Sequence, residues 1–161
     1  MKKVALGGTF DHFHKGHMKL IRRAFEISNY VIIGVTTDEL ASKLGKVDLE
    51  PYEKRKEKVE KFVKEEFSNS KFEVLPLDDP FGPILEDESI WGLVVSPETL
   101  HRGYEATLHR EKSGLPPLDL FIVPFELAED GLPISSTRIR KGEIDPHGKT
   151  FYRKSVKGVP K

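Results

Sequence analysis

The stretch VALGGTFDHFHKGH, residues 4–17, decides how the rest of the sequence is interpreted. It begins with an apolar run at residues 4–6, which predicts a buried strand, and continues through paired glycines into a helix predicted from Lys15. Paired glycines let the backbone approach a ligand closely. The start of a helix offers free N–H groups and a partial positive charge, which favour phosphate. The stretch therefore predicts an anion-binding turn after the first strand.

Two histidines of this turn, His14 and His17, are three residues apart, so both can face one pocket at the start of the helix. A protonated or hydrogen-bonding histidine pair beside bound phosphate suits phosphoryl-type transfer, which needs donors aimed at oxygens that gain charge. His12 adds a third imidazole, and Asp11 precedes it. A zinc site formed by the three histidines is therefore an alternative, although the chain has neither cysteine partners nor an H-E-x-x-H sequence.

The remaining chain alternates apolar runs with amphipathic segments. Strands are predicted at residues 4–6, 30–36, 72–77, 93–95 and 118–123. Helices are predicted at residues 15–27, shortly after 37, at 51–67, at 97–112 and from about 135 to 141. This alternation predicts an α/β fold with a mainly parallel five-stranded sheet and helices on both faces. Ligands of such sheets bind at the carboxyl ends of the strands.

No linker, repeat or low-complexity tract divides the sequence, so we expect one domain over residues 1–145. Residues 146–161 are predicted to form a basic C-terminal tail that is partly disordered. The basic residues near this end are Lys149, Arg153, Lys154, Lys157 and Lys161. Such a tail could help to attract anionic substrates.

The composition restricts the classes of function. The formal net charge is +0, which argues against a nucleic-acid partner, and no apolar run is long enough to span a membrane. The absence of cysteine fits a cytoplasmic protein in a reducing compartment. Glutamine is absent, asparagine occurs only at Asn29 and Asn69, and 32% of residues are charged. This pattern is typical of heat-tolerant proteins and predicts a high melting temperature.

A second motif, ISSTRIR at residues 134–140, places three hydroxyl side chains at the predicted start of the last helix. Together, the two motifs resemble the nucleotidyltransferase superfamily that carries a histidine–any–glycine–histidine sequence and a C-terminal Ser/Thr-rich sequence. Stretches at residues 36–40, 77–83 and 94–104 add a resemblance to the archaeal-type phosphopantetheine adenylyltransferases. The resemblance covers nearly all of the chain up to about residue 145 and implies a Rossmann-like nucleotidyltransferase fold.

The resemblance implies a reaction of ATP with 4′-phosphopantetheine to give dephospho-coenzyme A and pyrophosphate. It implies catalytic roles for His14, His17 and Arg102 in stabilising charge on the phosphates. It also implies an ATP site, formed by Gly8, Thr9, Phe10, His14, Gly16, His17, Ser135, Ser136, Thr137 and Arg138. The acceptor is expected to contact Thr9, Asp11 and Lys43. No protein-held metal is expected, because the family uses Mg²⁺ bound mainly through the ATP phosphates.

Two other functions stay open. The chain could be another adenylyl- or cytidylyltransferase of the same fold, acting on flavin mononucleotide, nicotinamide mononucleotide or a phospho-alcohol. It could also be a nucleotide-binding module without turnover, although binding alone does not require the His14/His17 pair.

Overall fold

A computed structural model describes residues 2–151. The strands are β1 Lys3–Gly8, β2 Tyr30–Thr36, β3 Lys71–Leu77, β4 Ile90–Val95 and β5 Asp119–Ile122. The α-helices are α1 Lys15–Ile27, α2 Asp38–Lys43, α3 Tyr52–Glu66, α4 Leu100–Lys112 and α5 Ser136–Arg140. A 3₁₀ helix at Gly82–Leu85 lies between β3 and β4. Within the described range, none of the helices is long and apolar enough to cross a membrane.

The sheet is parallel throughout, with the strand order β3-β2-β1-β4-β5. The predicted five-stranded parallel sheet is therefore confirmed. β1 extends two residues beyond the predicted apolar run, because Gly7 and Gly8 continue the ladder opposite Gly34 and Val35 of β2. From β1 the chain proceeds to one edge of the sheet and then returns to build β4 and β5 on the other side. The order thus reverses between β1 and β4, which is where open α/β sheets bind ligands.

The alternating side chains of the central strands fill two cores, one on each face of the sheet. Val4 and Leu6 of β1 face one core, which α1 and α3 close with residues such as Ile21 and Val59. Ala5 faces the opposite core, together with Ala106 of α4 and Ile84 of the 3₁₀ helix. Helices therefore cover both faces, as the unbroken apolar sequence of β2 predicts for a strand buried on both sides.

Two element boundaries differ from the sequence prediction for local reasons. Helix α4 begins at Leu100 rather than near residue 97, because the backbone N–H of Ser96 donates to Thr99 Oγ1 at 3.1 Å and holds residues 96–99 in a turn. The 3₁₀ helix was not predicted. It begins at Gly82, whose φ of +58° lies in the left-handed region and whose missing side chain leaves room for Leu77.

The described residues extend past the predicted boundary at residue 145. Residues 146–151 pack against the domain, because the N–H of Lys15 donates to the carbonyl of Pro146 and that of Glu129 to Gly148. Ile144 is fully buried in a small separate core. The rest of the predicted tail, residues 152–161, lies outside the described residues.

Arg55 of α3 has a fully buried side chain whose donors join four segments. Its guanidinium donates to the carbonyl oxygens of Thr9 and Thr36 at 2.8 Å each and to Asp38 Oδ1 at 2.7 Å. Its Nε donates to the carbonyl of Glu50 at 2.8 Å. A buried charge is tolerated only when it is paired and hydrogen-bonded. Arg55 meets this condition and fixes the loops that leave β1 and β2.

Arg110 of α4 is a second buried arginine that joins chain segments, on the face of the sheet that α4 covers. Its side chain is also fully buried, and it donates to the carbonyl oxygens of Ile84, Asp87, Ile90 and Pro116 at 2.8 to 3.0 Å. It therefore ties the 3₁₀ helix and the start of β4 to the end of α4.

We predict that Arg55→Met lowers the free energy of unfolding by about 3 kcal/mol, because buried carbonyl groups lose their donors. Chemical denaturation monitored by circular dichroism measures this loss. Arg22→Met is the matched control, since Arg22 pairs with Glu66 at 3.4 Å while both side chains are nearly half exposed. Arg22→Met should lower the free energy of unfolding by less than about 1 kcal/mol. Equal losses in the two variants would contradict the role assigned to Arg55.

Candidate active site

A cavity of about 640 Å³ lies at the carboxyl ends of the strands, over the point where the strand order reverses. On the β2/β3 side it is lined by residues such as Lys46, Val47 and Leu77. On the β4/β5 side it is lined by residues such as Arg102, Ser136 and Arg140. The first motif lies between these two walls. We call them the β2 wall and the β5 wall.

The two motif histidines cap helix α1. His14 is the N-cap residue, and its Nδ1 accepts the backbone N–H of Gly16 at 3.0 Å. In return, Nδ1 of His17 accepts the backbone N–H of His14 at 3.1 Å. This is a capping box built from imidazoles. The two rings stack with their centroids 3.6 Å apart.

The capping box fixes the tautomer of both rings. A nitrogen that accepts an amide N–H carries no proton, so each neutral imidazole has its proton on Nε2. The sequence left open whether the histidine pair is protonated or hydrogen-bonding. Burial lowers the pKa of His14 to about 4, opposed by the charge of Asp11 and supported by that of His12. Burial and, after it, the charge of His14 lower the pKa of His17 well below 6.5. In this structure, both histidines are therefore neutral Nε2–H donors at neutral pH.

Gly16 is required by this cap. A Cβ at position 16 would lie 2.9 Å from Cε1 and 3.0 Å from Nδ1 of His14, so any side chain would push the imidazole off its N–H donor. The sequence interpretation assigned Gly16 to close approach of the nucleotide. The structure adds this steric reason within the protein itself.

The loop before the cap places three of the predicted residues at the cavity, namely Gly8, Thr9 and Phe10. Phe10 has a φ of +54° and is 1% exposed, so its ring belongs to the core and lies 5.2 Å from the ring of His17. The buried ring of Phe10 therefore packs against the ring of His17.

Asp11 lines the cavity, but its carboxylate is engaged by protein donors. Oδ1 accepts the backbone N–H of Glu50 at 2.9 Å, and Oδ2 contacts His12 Nδ1 at 2.8 Å and Arg140 Nη1 at 3.2 Å. The residue is 3% exposed. Its carbonyl oxygen also accepts the hydroxyl of Ser136. Asp11 thus links the first motif to the second through its contacts with Ser136 and Arg140.

Helix α5 places the hydroxyl motif on the β5 wall. Ser135 is its N-cap and accepts the N–H of Arg138 at 3.2 Å, while Ser135, Ser136 and Thr137 all line the cavity. Arg140 follows Ser136 by one helical turn, so both face the cavity. Arg140 is not among the site residues predicted from the sequence, although its spacing from Ser136 would have identified it.

Arg138, predicted to contact phosphate, lies off the cavity in this structure. Its side chain pairs with Asp130 and with Glu143, at 2.8 Å for the latter, and it is not among the residues that line the cavity. These contacts raise the pKa of Arg138 further above its ordinary value. A position two residues from Ser136 lies on another side of the helix, which explains the difference from Arg140.

Lys43, predicted to contact the acceptor, also lies away from the cavity. Lys43 is exposed at the end of α2 and does not line the cavity, whereas Lys46 does. Gly45, with a φ of +85°, turns the chain after α2. The following residues then pass over the β2 wall.

Arg102, for which the resemblance implied a catalytic role, lines the cavity from the first turn of α4, and His101 lies beside it. The N-terminus of α4 therefore adds a cation to the β5 wall.

The cluster of metal-ligand type at the first motif includes His12 but neither His14 nor His17, whose Nδ1 atoms accept the amide groups of the helix cap. Among residues 2–151, one group of metal-ligand type comprises Asp11, His12 and Glu50. Its carboxylates already carry cationic partners, because Arg140 contacts Asp11 and Lys58 donates to Glu50 at 2.7 Å.

The fold and the cavity define a class of protein. Residues 5–142 match the family model described as cytidylyltransferase-like. The chain therefore belongs to the cytidylyltransferase-like nucleotidyltransferases.

Closer relatives specify the family. A Methanosarcina barkeri protein named phosphopantetheine adenylyltransferase is 46% identical, with 98% of this chain and 96% of that protein covered. A Methanopyrus kandleri protein of the same name is 44% identical, with 89% and 91% covered. A crystal structure of an Archaeoglobus fulgidus protein of unknown function is 33% identical with a TM-score of 0.69, covering 76% of this chain and 89% of that one. This chain is a member of the phosphopantetheine adenylyltransferase family.

We predict that stability falls as the pH is lowered from about 6.5 towards about 4, because unfolding lets His14 take up a proton that the folded state excludes. His14→Asn keeps an N-cap acceptor but does not titrate. Between pH 7 and 5, the free energy of unfolding should therefore fall by about 2 kcal/mol more in the unmodified protein than in His14→Asn. Urea titrations at both pH values measure the difference. The same pH dependence in both proteins would contradict a neutral His14.

Proposed function

We propose that this protein transfers the adenylyl group of ATP to 4′-phosphopantetheine, releasing pyrophosphate and forming dephospho-coenzyme A. The observation that carries the proposal is the pair of Nε2–H donors on His14 and His17, held at the start of α1 opposite the hydroxyl groups of α5. The names of the relatives support the choice of acceptor.

The reaction needs no covalent enzyme intermediate. An oxygen of the acceptor phosphate attacks the α-phosphorus of ATP, and a new P–O bond forms. The bond from the α-phosphorus to the bridging oxygen breaks, and pyrophosphate leaves with its electron pair. Charge grows on oxygens around the α-phosphorus and on the leaving group, so fixed donors lower the barrier.

The histidines of the first motif and the residues of the β5 wall together match the requirements of a triphosphate. His14 and His17 would donate from Nε2 to the α-phosphate and the leaving oxygen. The hydroxyl groups of Ser135, Ser136 and Thr137 offer donors to the β- and γ-phosphates. Arg102 and Arg140 supply positive charge on the same wall. Neutral imidazoles keep their orientation before ATP binds, and their desolvated N–H groups need no reorganisation during the transfer.

On the β2 wall, the residues match a phosphate joined to an extended, partly apolar arm. Thr9 and Lys46 offer a hydroxyl and a cation for the attacking phosphate. Leu77, Phe81 and Ile84 give this side of the cavity an apolar floor. Gly34 leaves room for Leu77, since a Cβ there would lie 2.7 Å from its side chain.

We propose that Mg²⁺ enters on the ATP phosphates, which it would neutralise together with the pyrophosphate leaving group. Magnesium sheds its waters reluctantly and usually binds through substrate phosphates and few carboxylates. The pairing of Asp11 with Arg140 and of Glu50 with Lys58 fits this arrangement, because these carboxylates already have cationic partners.

The proposal is tested by measuring pyrophosphate release from ATP and Mg²⁺ with separate acceptors: 4′-phosphopantetheine, flavin mononucleotide, nicotinamide mononucleotide and a phospho-alcohol. Of these four acceptors, we predict that only 4′-phosphopantetheine supports the release of pyrophosphate from ATP. Release with a different acceptor would keep the chemistry and replace the substrate. Binding of ATP without release for any acceptor would indicate a nucleotide-binding module.

The two arginines of α5 provide a second test. We predict that Arg140→Gln weakens ATP binding by about 10- to 100-fold, the effect of losing one charge-assisted hydrogen bond. Arg138→Gln should leave ATP affinity within about twofold, because its guanidinium pairs with Asp130 and Glu143. Calorimetric titration with a non-hydrolysable ATP analogue and Mg²⁺ measures both. If Arg138→Gln lost more ATP affinity than Arg140→Gln, then Arg138 and not Arg140 would be the arginine that binds ATP.

A further inference from the structure

Asp11 contacts segments from both walls of the cavity. Oδ1 accepts the backbone N–H of Glu50 at 2.9 Å, and Glu50 closes the segment that carries Lys46 over the β2 wall. Oδ2 contacts Nη1 of Arg140 at 3.2 Å on the β5 wall. One buried carboxylate therefore contacts Arg140 directly and also the backbone at Glu50, which follows the cavity-lining segment of Lys46.

Each link has a second contact beside it. On the β2 side, the backbone N–H of His12 donates to Glu50 Oε1 at 3.0 Å, so residues 11 and 12 bond to residue 50 in both directions. On the β5 side, the Ser136 hydroxyl donates to the carbonyl of Asp11. Helix α5 is short, and isolated helices of its length are unstable, so these contacts to residue 11 fix where Arg140 lies.

The carboxylate oxygens of Asp11 are occupied by three donors: the Glu50 N–H, His12 Nδ1 and Arg140. A carboxylate that is 3% exposed and engaged in this way is a poor ligand for an anionic acceptor. Direct contact of Asp11 with the acceptor, which the resemblance implied, is therefore not favoured by this geometry.

We propose that Asp11 is a positioning residue with two separate tasks: Oδ2 holds Arg140 for the nucleotide, and Oδ1 holds the segment of Lys46 for the acceptor. The inference rests on the proposed function for the identity of the two ligands. It assigns the two oxygens to two substrates, so each oxygen can be tested through a different binding constant.

Two substitutions separate the two tasks. Asp11→Asn keeps one oxygen, which can still accept the Glu50 N–H, but turns an amide N–H₂ towards Arg140. Because a guanidinium has no acceptor atom, the contact between residue 11 and Arg140 is lost. The contact with His12 can persist, because the other tautomer of its imidazole accepts the amide N–H at Nδ1. Asp11→Ala removes both oxygens. Asp87→Asn is the matched control, because Asp87 precedes β4 at the opposite end of the sheet and does not line the cavity.

The experiment measures, by calorimetry, the affinity of each variant for a non-hydrolysable ATP analogue with Mg²⁺ and for 4′-phosphopantetheine. Asp11→Asn should weaken binding of the analogue by about tenfold and leave acceptor affinity unchanged. Asp11→Ala should weaken both by about tenfold. The double variant Asp11→Asn/Arg140→Gln should bind the analogue no more weakly than Arg140→Gln, because Asp11 acts through Arg140. Thermal melts confirm that each variant is folded.

Unchanged affinity for the analogue in Asp11→Asn would overturn the inference, as would additive losses in the double variant. If Asp11→Ala does not fold, the Asp11→Asn result and the double variant still decide the role of Oδ2. Failure of the proposed function is distinguishable from these outcomes. It would appear in the unmodified protein, as absent pyrophosphate release or absent binding of either ligand.

Discussion

The first turn of α1 depends on a constraint that every helix meets, namely that its leading N–H groups lack partners within the helix. Here the partners are Nδ1 atoms of two imidazoles, where a serine or aspartate is the common choice. The cap leaves both Nε2–H groups available and fixes their tautomers. The side chains that complete the helix are thus the same ones that can meet phosphate. Because Gly16 lies under the His14 ring, the motif spacing follows from this packing as well as from any ligand.

Two buried arginines hold the framework around this cap, one for each face of the sheet. Arg55 anchors the loops after β1 and β2, and Arg110 anchors the start of β4. Each directs its guanidinium at backbone carbonyl groups where chain segments meet. Loops that would otherwise be held only by weak local contacts thereby acquire fixed positions. Those loops form much of the cavity, so its shape depends on residues that never touch it.

Much of this arrangement could be predicted from the sequence because it rests on local patterns. The apolar run of β2, the alternation of strands and helices, and the glycine-rich turn before Lys15 each identify an element without information from distant residues. Sequence patterns are less informative where contacts between distant residues decide which side chains line the cavity. Arg138 and Arg140 have the same side chain and differ only in the side of helix α5 on which they lie. The contacts of Ser136 and Arg140 with Asp11 determine which side of the helix faces the cavity. Lys43 and Lys46 differ through the turn at Gly45. Arg55 lies in a highly charged stretch at residues 53–66, and nothing local in the sequence shows that its side chain is buried.

The bond between Ser136 and Asp11 joins residues 125 positions apart, and that between Arg140 and Asp11 joins residues 129 apart. Contacts of such separation form late, because closing a long loop costs conformational entropy before the contact compensates for it. During synthesis, a chain that still lacks α5 can already pair β1 with β2 and β4. A chain that ends before α5 therefore contains every strand of the sheet but lacks the hydroxyl groups that complete the β5 wall.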